Sequence, residues 1–194
     1  LLQFASGQLA TAIERKRIYS RLEFLAQYDQ LTELPNQALF LDRLQSSLKK
    51  ARRGSLQLAV LYLDMDNFKQ INDTFGHTTG NHLLREVAKR LSQCVRESDT
   101  IGRLGGDEFA ILLDNISTLK DATGVADKVL AALSEPYILD SKTVLSAPSL
   151  GIAVYPEHSQ DELQLVQLAD EAMYAAKRSG GRRYSIAANP AIDS

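Results

Sequence analysis

The sequence predicts an α+β fold in which helices cover one mainly antiparallel sheet, and three observations carry that reading. Residues 56–63 form a nearly continuous apolar run of strand length, the pattern of a strand buried on both faces. A second strand ending near Leu104 meets the Gly105-Gly106 pair, and Phe109 to Leu113 returns as a third, which is the signature of a hairpin. Amphipathic helical stripes fall between these segments without strict β-α alternation, so a doubly wound parallel sheet is not expected.

Taken in order, residues 1–28 read as a helix with no glycine or proline after Gly7. Leu2, Ala5, Leu9 and Ala12 fit one heptad register, and Ile18, Leu22 and Leu25 fit another that does not join it. This helix is open to two readings, a coiled coil or a helix packed on its own domain. Pro35 punctuates the following segment, and the domain boundary is placed at 28/29. Phe40, Leu41, Leu44 and Leu48 then mark an amphipathic helix, and Leu83, Leu84, Val87, Ala88 and Leu91 the core stripe of another. Beyond the hairpin, Ala122, Val125, Ala126, Val129 and Leu133 make a further helix. Tyr137 to Val154 reads as strand, turn, strand. Leu165, Leu168, Ala169, Ala172, Met173 and Ala176 form the last long helix, with Tyr184 to Ile186 as a closing strand. The expected organisation is a helix over 1–28, a domain over 29–187 and a tail over 188–194.

Composition narrows the function classes. The 194 residues are 44% hydrophobic and 24% charged, ordinary for a globular chain, and the net charge of −2 supplies no basic field for nucleic acid. Any phosphate must be held by local groups or by metal. A single cysteine, Cys94, excludes an internal disulfide framework and fits a reducing, cytoplasmic setting. No apolar run approaches the roughly 20 residues that span a bilayer. The chain opens without Met inside a helical pattern and reads as a fragment of a longer protein.

The chemistry concentrates at two places. The buried strand ends in Asp64-Met65-Asp66, and the hairpin turn carries Asp107-Glu108 directly after its two glycines. If the strands are neighbours, these carboxylates converge at one end of the sheet, repel one another and call for a cation. Hard oxygen donors at a solvent edge suit Mg²⁺ completed by substrate phosphates, and the glycines let phosphate approach the backbone. Together they suggest two-metal phosphoryl transfer, although acidic turns are commonly only solvated.

Four blocks in order then carry a resemblance. Arg103-Leu104-Gly105-Gly106-Asp107-Glu108-Phe109 looks like the signature of the GGDEF family of diguanylate cyclases. Asp29 to Asn36 resembles the family's N-terminal motif, Asp64 to Gly80 its long nucleotide-binding motif, and Ala169 to Lys177 its C-terminal helix. The resemblance covers about residues 27–187 and implies a nucleotide-cyclase or polymerase-palm-like fold behind an N-terminal signalling helix.

It further implies condensation of two GTP into cyclic di-GMP across a homodimer, with two Mg²⁺ (or Mn²⁺) per active site. The implied metal ligands are Asp64, the Met65 carbonyl, Asp107 and Glu108, with Asp107 also the base for the ribose 3′-hydroxyl and Lys69 stabilising charge in the transition state. Asn72, Asn81, Phe68, His77 and Lys177 are the implied substrate residues. Each also has a plainer role: Asn72 a cap or turn residue, Phe68 core, His77 a turn-ordering group, Lys69 a solvated lysine, Lys177 a partner of the helix dipole. Asp66 is read as capping the turn after the strand in preference to binding metal. Arg96 and Asp99 match the family's Arg-x-x-Asp site for inhibition by cyclic di-GMP, where an arginine can pair with phosphate or with the Hoogsteen edge of guanine. Residues 1–28 resemble the exit helix of an upstream, GAF-like sensory domain.

The sequence departs from the family pattern at Asn81, where an Asp is usual, at Glu33 and Gln37, and at Gly181, which stands where a phosphate-contacting Arg is common and for which Arg182 or Arg183 could substitute. These departures leave the implied metal ligands in place. The competing readings are a catalytically weak or inactive module that binds cyclic di-GMP or GTP as a sensor, and a dimerising spacer.

Overall fold

The computed structural model describes residues 2–189, with side chains from Ile13 onward except Ser20. The elements are α1 (Leu2–Gln27), α2 (Gln37–Gly54), β1 (Gln57–Met65), α3 (Phe68–Phe75), α4 (His77–Cys94), β2 (Thr100–Gly105) and β3 (Glu108–Ile116). They continue as α5 (Leu119–Ser134), β4 (Tyr137–Leu139), β5 (Lys142–Val144), β6 (Pro148–Tyr155), α6 (Glu162–Arg178) and β7 (Tyr184–Ile186).

Five strands form one sheet in the order β2-β3-β1-β6-β7. Every pairing is antiparallel except the parallel contact of β6 with β7. The central β1 alternates between two cores, as a strand buried on both faces must. Ala59, Leu61, Leu63 and Met65 face α4 and α5, packing with Leu83, Val87, Ala126 and Val129. Leu58, Val60 and Tyr62 face α2 and α6, packing with Phe40, Leu44, Ala169 and Met173. Gly151 of β6 is required for this second layer, because a Cβ there would collide with the Ala169 carbonyl and the Met173 amide. The helix therefore lies directly on the sheet backbone and delivers its polar residues to the strand ends.

One segment departs from the sequence expectation. Residues 137–154 are not one strand-turn-strand unit: β4 and β5 form a separate two-stranded hairpin, and β6 belongs to the main sheet. After β1 the chain also forms a short helix to which the sequence reading assigned no element, α3, whose preceding residue Asn67 adopts a left-handed conformation at φ 63°.

Helix α1 answers the question of its packing for the residues whose side chains are described. Ile13, Ile18, Tyr19 and Leu22 are exposed and Leu25 is half-buried, so this part of α1 does not bury its apolar residues on its own domain. The side chains of Leu2, Ala5, Leu9 and Ala12 lie outside the described residues. Asn36 joins α1 to the domain by using both ends of its amide. Its Nδ2 donates to the Ala26 carbonyl at 2.8 Å, and its Oδ1 caps α2 by accepting from the Leu39 amide at 3.1 Å.

Candidate active site

The register of β1 against β3 places Asp64 directly opposite Glu108, and the Met65 amide donates to the Asp107 carbonyl at 3.4 Å. The two acidic segments therefore meet at one end of the sheet. Asp64 is 9% exposed, and Asp107 and Glu108 are half-buried. The turn between β2 and β3 depends on its glycines, with Gly105 at φ 156° and Gly106 at φ 49° and open space where side chains would stand. Burial and the neighbouring Asp64 charge push the Asp107 carboxyl up to about 6.

A cation already answers this charge. Lys177, near the C-terminal end of α6, places Nζ 2.6 Å from Asp64 Oδ1, a partner 113 residues away by number (177 − 64). Among the described residues, no three acidic, histidine or cysteine side chains converge tightly enough to enclose a metal ion alone. That sparse donor set fits Mg²⁺, which keeps several positions for water and substrate phosphate and is bound through one or two carboxylates.

Asp66 has partners of its own. Its carboxylate accepts from Ser149 Oγ at 2.8 and 3.0 Å and from the Arg182 amide at 3.0 Å. It thus clamps the loop between α6 and β7 rather than capping the turn that follows β1, which corrects the expectation of a turn cap. Gly181 sits against it at φ 69°, and a Cβ there would come within 2.6 Å of Asp66 Oδ2. An arginine at 181 would have to displace the Asp66 carboxylate and hold a strained left-handed backbone. A cavity of about 320 Å³ opens here, lined by Asp66, Asn67, Lys177, Gly180, Gly181 and Arg182.

The remaining substrate candidates surround α3 and the start of α4. Lys69, His77 and Asn81 are exposed, while Phe68 is half-buried against the α4–α5 core. Asn72 is half-buried, and its Oδ1 is buried without a hydrogen-bond partner. It lies against Gly80, where a Cβ would collide with it. Asn72 is thus neither the N-cap of α3 nor that of α4.

Arg96 and Asp99 lie on the other side of the domain, in the loop before β2, on a cavity of about 330 Å³ shared with Lys120 and Lys128. Arg96 is exposed. The Asp99 carboxylate is occupied by backbone: Oδ2 accepts from the Arg96 amide at 2.9 Å and Oδ1 from the Asp114 amide at 3.3 Å.

Sequence reasoning missed four groups. Arg103 donates to Asp29 and to the Gly106 carbonyl, Ser149 anchors Asp66, and Tyr62 and Asp170 face the acidic cluster. Arg103 stood inside the hairpin signature, but its partner is 74 residues away. Tyr62 and Asp170 were hidden in apolar stripes.

Comparison with known proteins supplies the frame for this geometry. The family described as "Diguanylate cyclase, GGDEF domain" matches residues 26–183. The chain is 45% identical over 170 residues to the diguanylate cyclase TpbB of Pseudomonas aeruginosa, covering 86% of this chain but 39% of that protein. It spans well under half the length of that relative. The solved GGDEF domain of TpbB superposes with a TM-score of 0.81 at 44% identity, over 83% of this chain and 94% of that one. The coiled coil and GGDEF domain of DgcB from Caulobacter crescentus, solved with cyclic di-GMP, superposes at 0.83 with 28% identity, over 96% and 99% of the two chains.

Proposed function

Because the chain belongs to the GGDEF, diguanylate cyclase domain family, we propose that it condenses two GTP into cyclic di-GMP and two pyrophosphates across a homodimer. The observation that carries this reading is the meeting of Asp64 with Asp107 and Glu108 at the end of β1 and β3, beside a glycine turn with open backbone. Asp64, the Met65 carbonyl, Asp107 and Glu108 would hold Mg²⁺ or Mn²⁺, two per site. The bound metal would supply charge stabilisation at the phosphate and acidify the attacking hydroxyl.

The chain's own residues perform the rest. Each GTP presents its 3′-oxygen to the α-phosphorus of the other, a P–O bond forms, and the bond to the departing pyrophosphate breaks. Asp107 accepts the hydroxyl proton. Lys177 exchanges its contact with Asp64 for the triphosphate, whose charge exceeds that of one carboxylate. Exposed Lys69 opposes charge developing on the phosphate. Asn72 and Asn81 face the base, Phe68 walls the pocket and His77 borders it. A monomer holds half of the reaction, so α1, with Ile18 and Leu22 exposed, is the element that pairs two copies and links them to an upstream sensory domain. Arg96 and Asp99 bind the product and close the feedback loop, the guanidinium on phosphate or guanine. No helix among the described residues is long and apolar enough to cross a membrane.

Incubation with GTP and Mg²⁺ tests the reading. Pyrophosphate and cyclic di-GMP should appear, and Asp107→Ala should abolish both. Absence of product at high protein concentration would overturn it. Arg96→Ala should make synthesis insensitive to added product. A sensor module with little turnover is the second reading, favoured by Gly181, which offers no side chain to the phosphates. Nucleotide binding without pyrophosphate release would select it.

A further inference from the structure

The loop that follows α6 is held in a conformation it would not keep alone. Gly180, Gly181 and Arg182 all have positive φ, at 106°, 69° and 54°. Glycine adopts this region freely, but a residue with a side chain stays there only under constraint. Asp66 supplies the constraint. Its Oδ2 accepts from the Arg182 amide at 3.0 Å, and Ser149 Oγ donates to the same carboxylate. Asp66 is fixed in turn along its own backbone: its amide donates to the Ala147 carbonyl at 2.9 Å, and its carbonyl accepts from Ser146 Oγ at 3.2 Å.

The two arginines after Gly181 are not equivalent. Arg183 is occupied within the loop, where Nε donates to the Gly181 carbonyl at 3.2 Å and the guanidinium lies along Gly180. Arg182 is exposed, and its guanidinium has no hydrogen-bond or ion-pair partner among the described residues. It lines the cavity of about 320 Å³ that Lys177 also lines, and Lys177 reaches from there to Asp64 at the strand end. The acid on the cavity wall, Asp66, already accepts from Ser149 and from the Arg182 amide. The cavity therefore offers two cations beside a carboxylate that is already satisfied. A multiply charged anion running outward from the strand end fits it, and a guanidinium meets phosphate oxygens with paired N–H donors.

We propose that Arg182 is a further substrate-binding residue that takes the outer phosphates of the triphosphate in this cavity together with Lys177, and that Asp66 is the positioning residue that holds Arg182 there through its backbone. The inference rests on the cyclase reading of the neighbouring carboxylates. Arg182 supplies from the next position the charge that Gly181 lacks. Asp66 acts on the substrate only through the loop it clamps.

Binding of α,β-methylene GTP with Mg²⁺, and of GMP, which has no outer phosphates, tests this in wild type, Arg182→Ala and Arg183→Ala. Arg182→Ala should weaken the triphosphate analogue about tenfold, the scale of one lost charge-assisted contact, and leave GMP within about twofold. Arg183→Ala should leave both within about twofold. Asp66→Ala should weaken the analogue as Arg182→Ala does and add no further loss when combined with it, because the two act as a unit. Asp66→Asn, which keeps an acceptor for the Arg182 amide, should restore binding. Ser149→Ala removes only the hydroxyl that steadies Asp66 and is the milder variant; its smaller loss should likewise vanish in the Arg182→Ala background. Analogue binding unchanged in Arg182→Ala, or weakened equally for GMP, would overturn the inference and leave the cyclase reading intact. Losses from Asp66→Ala or Ser149→Ala that add in full to that of Arg182→Ala would overturn the positioning role, since a structural support acts whichever residue stands at 182. If the wild type itself bound no analogue and made no product, both readings would fall.

Discussion

Arg103 grips Asp29 with one end of its guanidinium and the turn that carries Asp107 with the other. Nη1 donates to both carboxylate oxygens of Asp29, at 2.9 and 3.0 Å, while Nη2 and Nε donate to the Gly106 carbonyl at 2.6 and 3.0 Å. The Arg103 amide also donates to the Pro35 carbonyl at 2.9 Å. Asp29 lies two residues beyond the end of α1, so a single side chain joins the segment after that helix to the Gly105-Gly106 turn. The Arg103 and Asp29 side chains are 12% and 23% exposed, which keeps the pair largely out of water.

Arg103→Ala should therefore cost about 2–3 kcal/mol of stability, the range for hydrogen bonds to a charged group that leave a partner unpaired. Urea unfolding measures this. Turnover should fall further than stability explains, because the turn loses its tether, whereas Asp29→Ala should lower stability less and spare the Gly106 contact. Equal turnover in Arg103→Ala and wild type at matched folded fraction would show that the turn is held by other groups.

The acidic cluster gives the metal-free chain an unusual response to pH. The Asp107 carboxyl rises from 3.8 to about 6, first by burial and then by the Asp64 charge. Between those values the folded chain retains a proton that the unfolded chain releases, so this group favours folding in acid, and its contribution is lost as pH rises through about 6. Asp170, raised by burial and by Glu171 and Asp64, acts in the same direction. In chelator, the stability of wild type relative to Asp107→Asn should fall between about pH 4 and about pH 7. Mg²⁺ with nucleotide should reverse that loss. A flat difference curve would mean that Asp107 titrates as an ordinary surface carboxyl.

The strand end and the glycine turn were legible in the sequence because their signals are local. An apolar run with acids at its end, and two glycines between strands, need no knowledge of distant residues. The helix pattern of α4, α5 and α6 was equally open, since each repeats core residues over several turns. What stayed hidden depends on contacts far apart in sequence or on weak local signals. Nothing near Lys177 announces that it reaches Asp64, and nothing near Asp66 announces Ser149 and Arg182. Helix α3 is eight residues long and starts from a left-handed Asn67, so it is too short to show a repeating core stripe. The β4–β5 hairpin turns at Asp140 and Ser141, with φ of 49° and 65°, where glycine or asparagine would have marked the turn more clearly. Tyr137, Leu139 and Val144 bury it against the main core, and His82 Nδ1 lies 2.8 Å from Asp140 Oδ2 at its turn.

Arg90 separates stability from chemistry. From α4 its Nη1 donates to the Ala132 and Glu135 carbonyls at 2.9 and 2.7 Å, and its Nη2 to Pro136 at 2.8 Å, so it caps the C-terminal end of α5 from outside the helix. Its guanidinium also lies 3.9 Å from the centre of the Tyr137 ring. Arg90→Ala should lower the free energy of unfolding by about 2–3 kcal/mol, since three carbonyls lose a charged donor at once. Turnover per folded molecule should not change, because the side chain lies away from the strand end. A stability loss under about 0.5 kcal/mol would show that water replaces it at the helix end.

Gly80 controls where Asn72 stands. A methyl group at 80 would collide with Asn72 Oδ1 and crowd Phe68, so Gly80→Ala must displace the amide proposed to read the base. Nucleotide affinity should weaken about tenfold, the equivalent of 1.4 kcal/mol. The helix itself should tolerate the change, since alanine is the better helix former. Equilibrium binding of a GTP analogue to the two proteins, with their melting temperatures, distinguishes a displaced contact from a damaged fold. Unchanged affinity would remove Asn72 from the base site.

Asn81 is exposed on the first turns of α4, one residue beyond Gly80. A carboxylate at this place could accept from both guanine N1–H and N2–H₂, while an amide accepts with one end only and donates with the other. The donor end would meet a guanine donor and find no partner, and adenine suffers less because it presents an acceptor at N1. Asn81→Asp should therefore tighten GTP about tenfold and weaken ATP, shifting the ratio of their binding constants by more than either alone. Competition of the two nucleotides for the wild type and the variant reads this directly. An unchanged GTP-to-ATP ratio would mean that residue 81 does not contact the base.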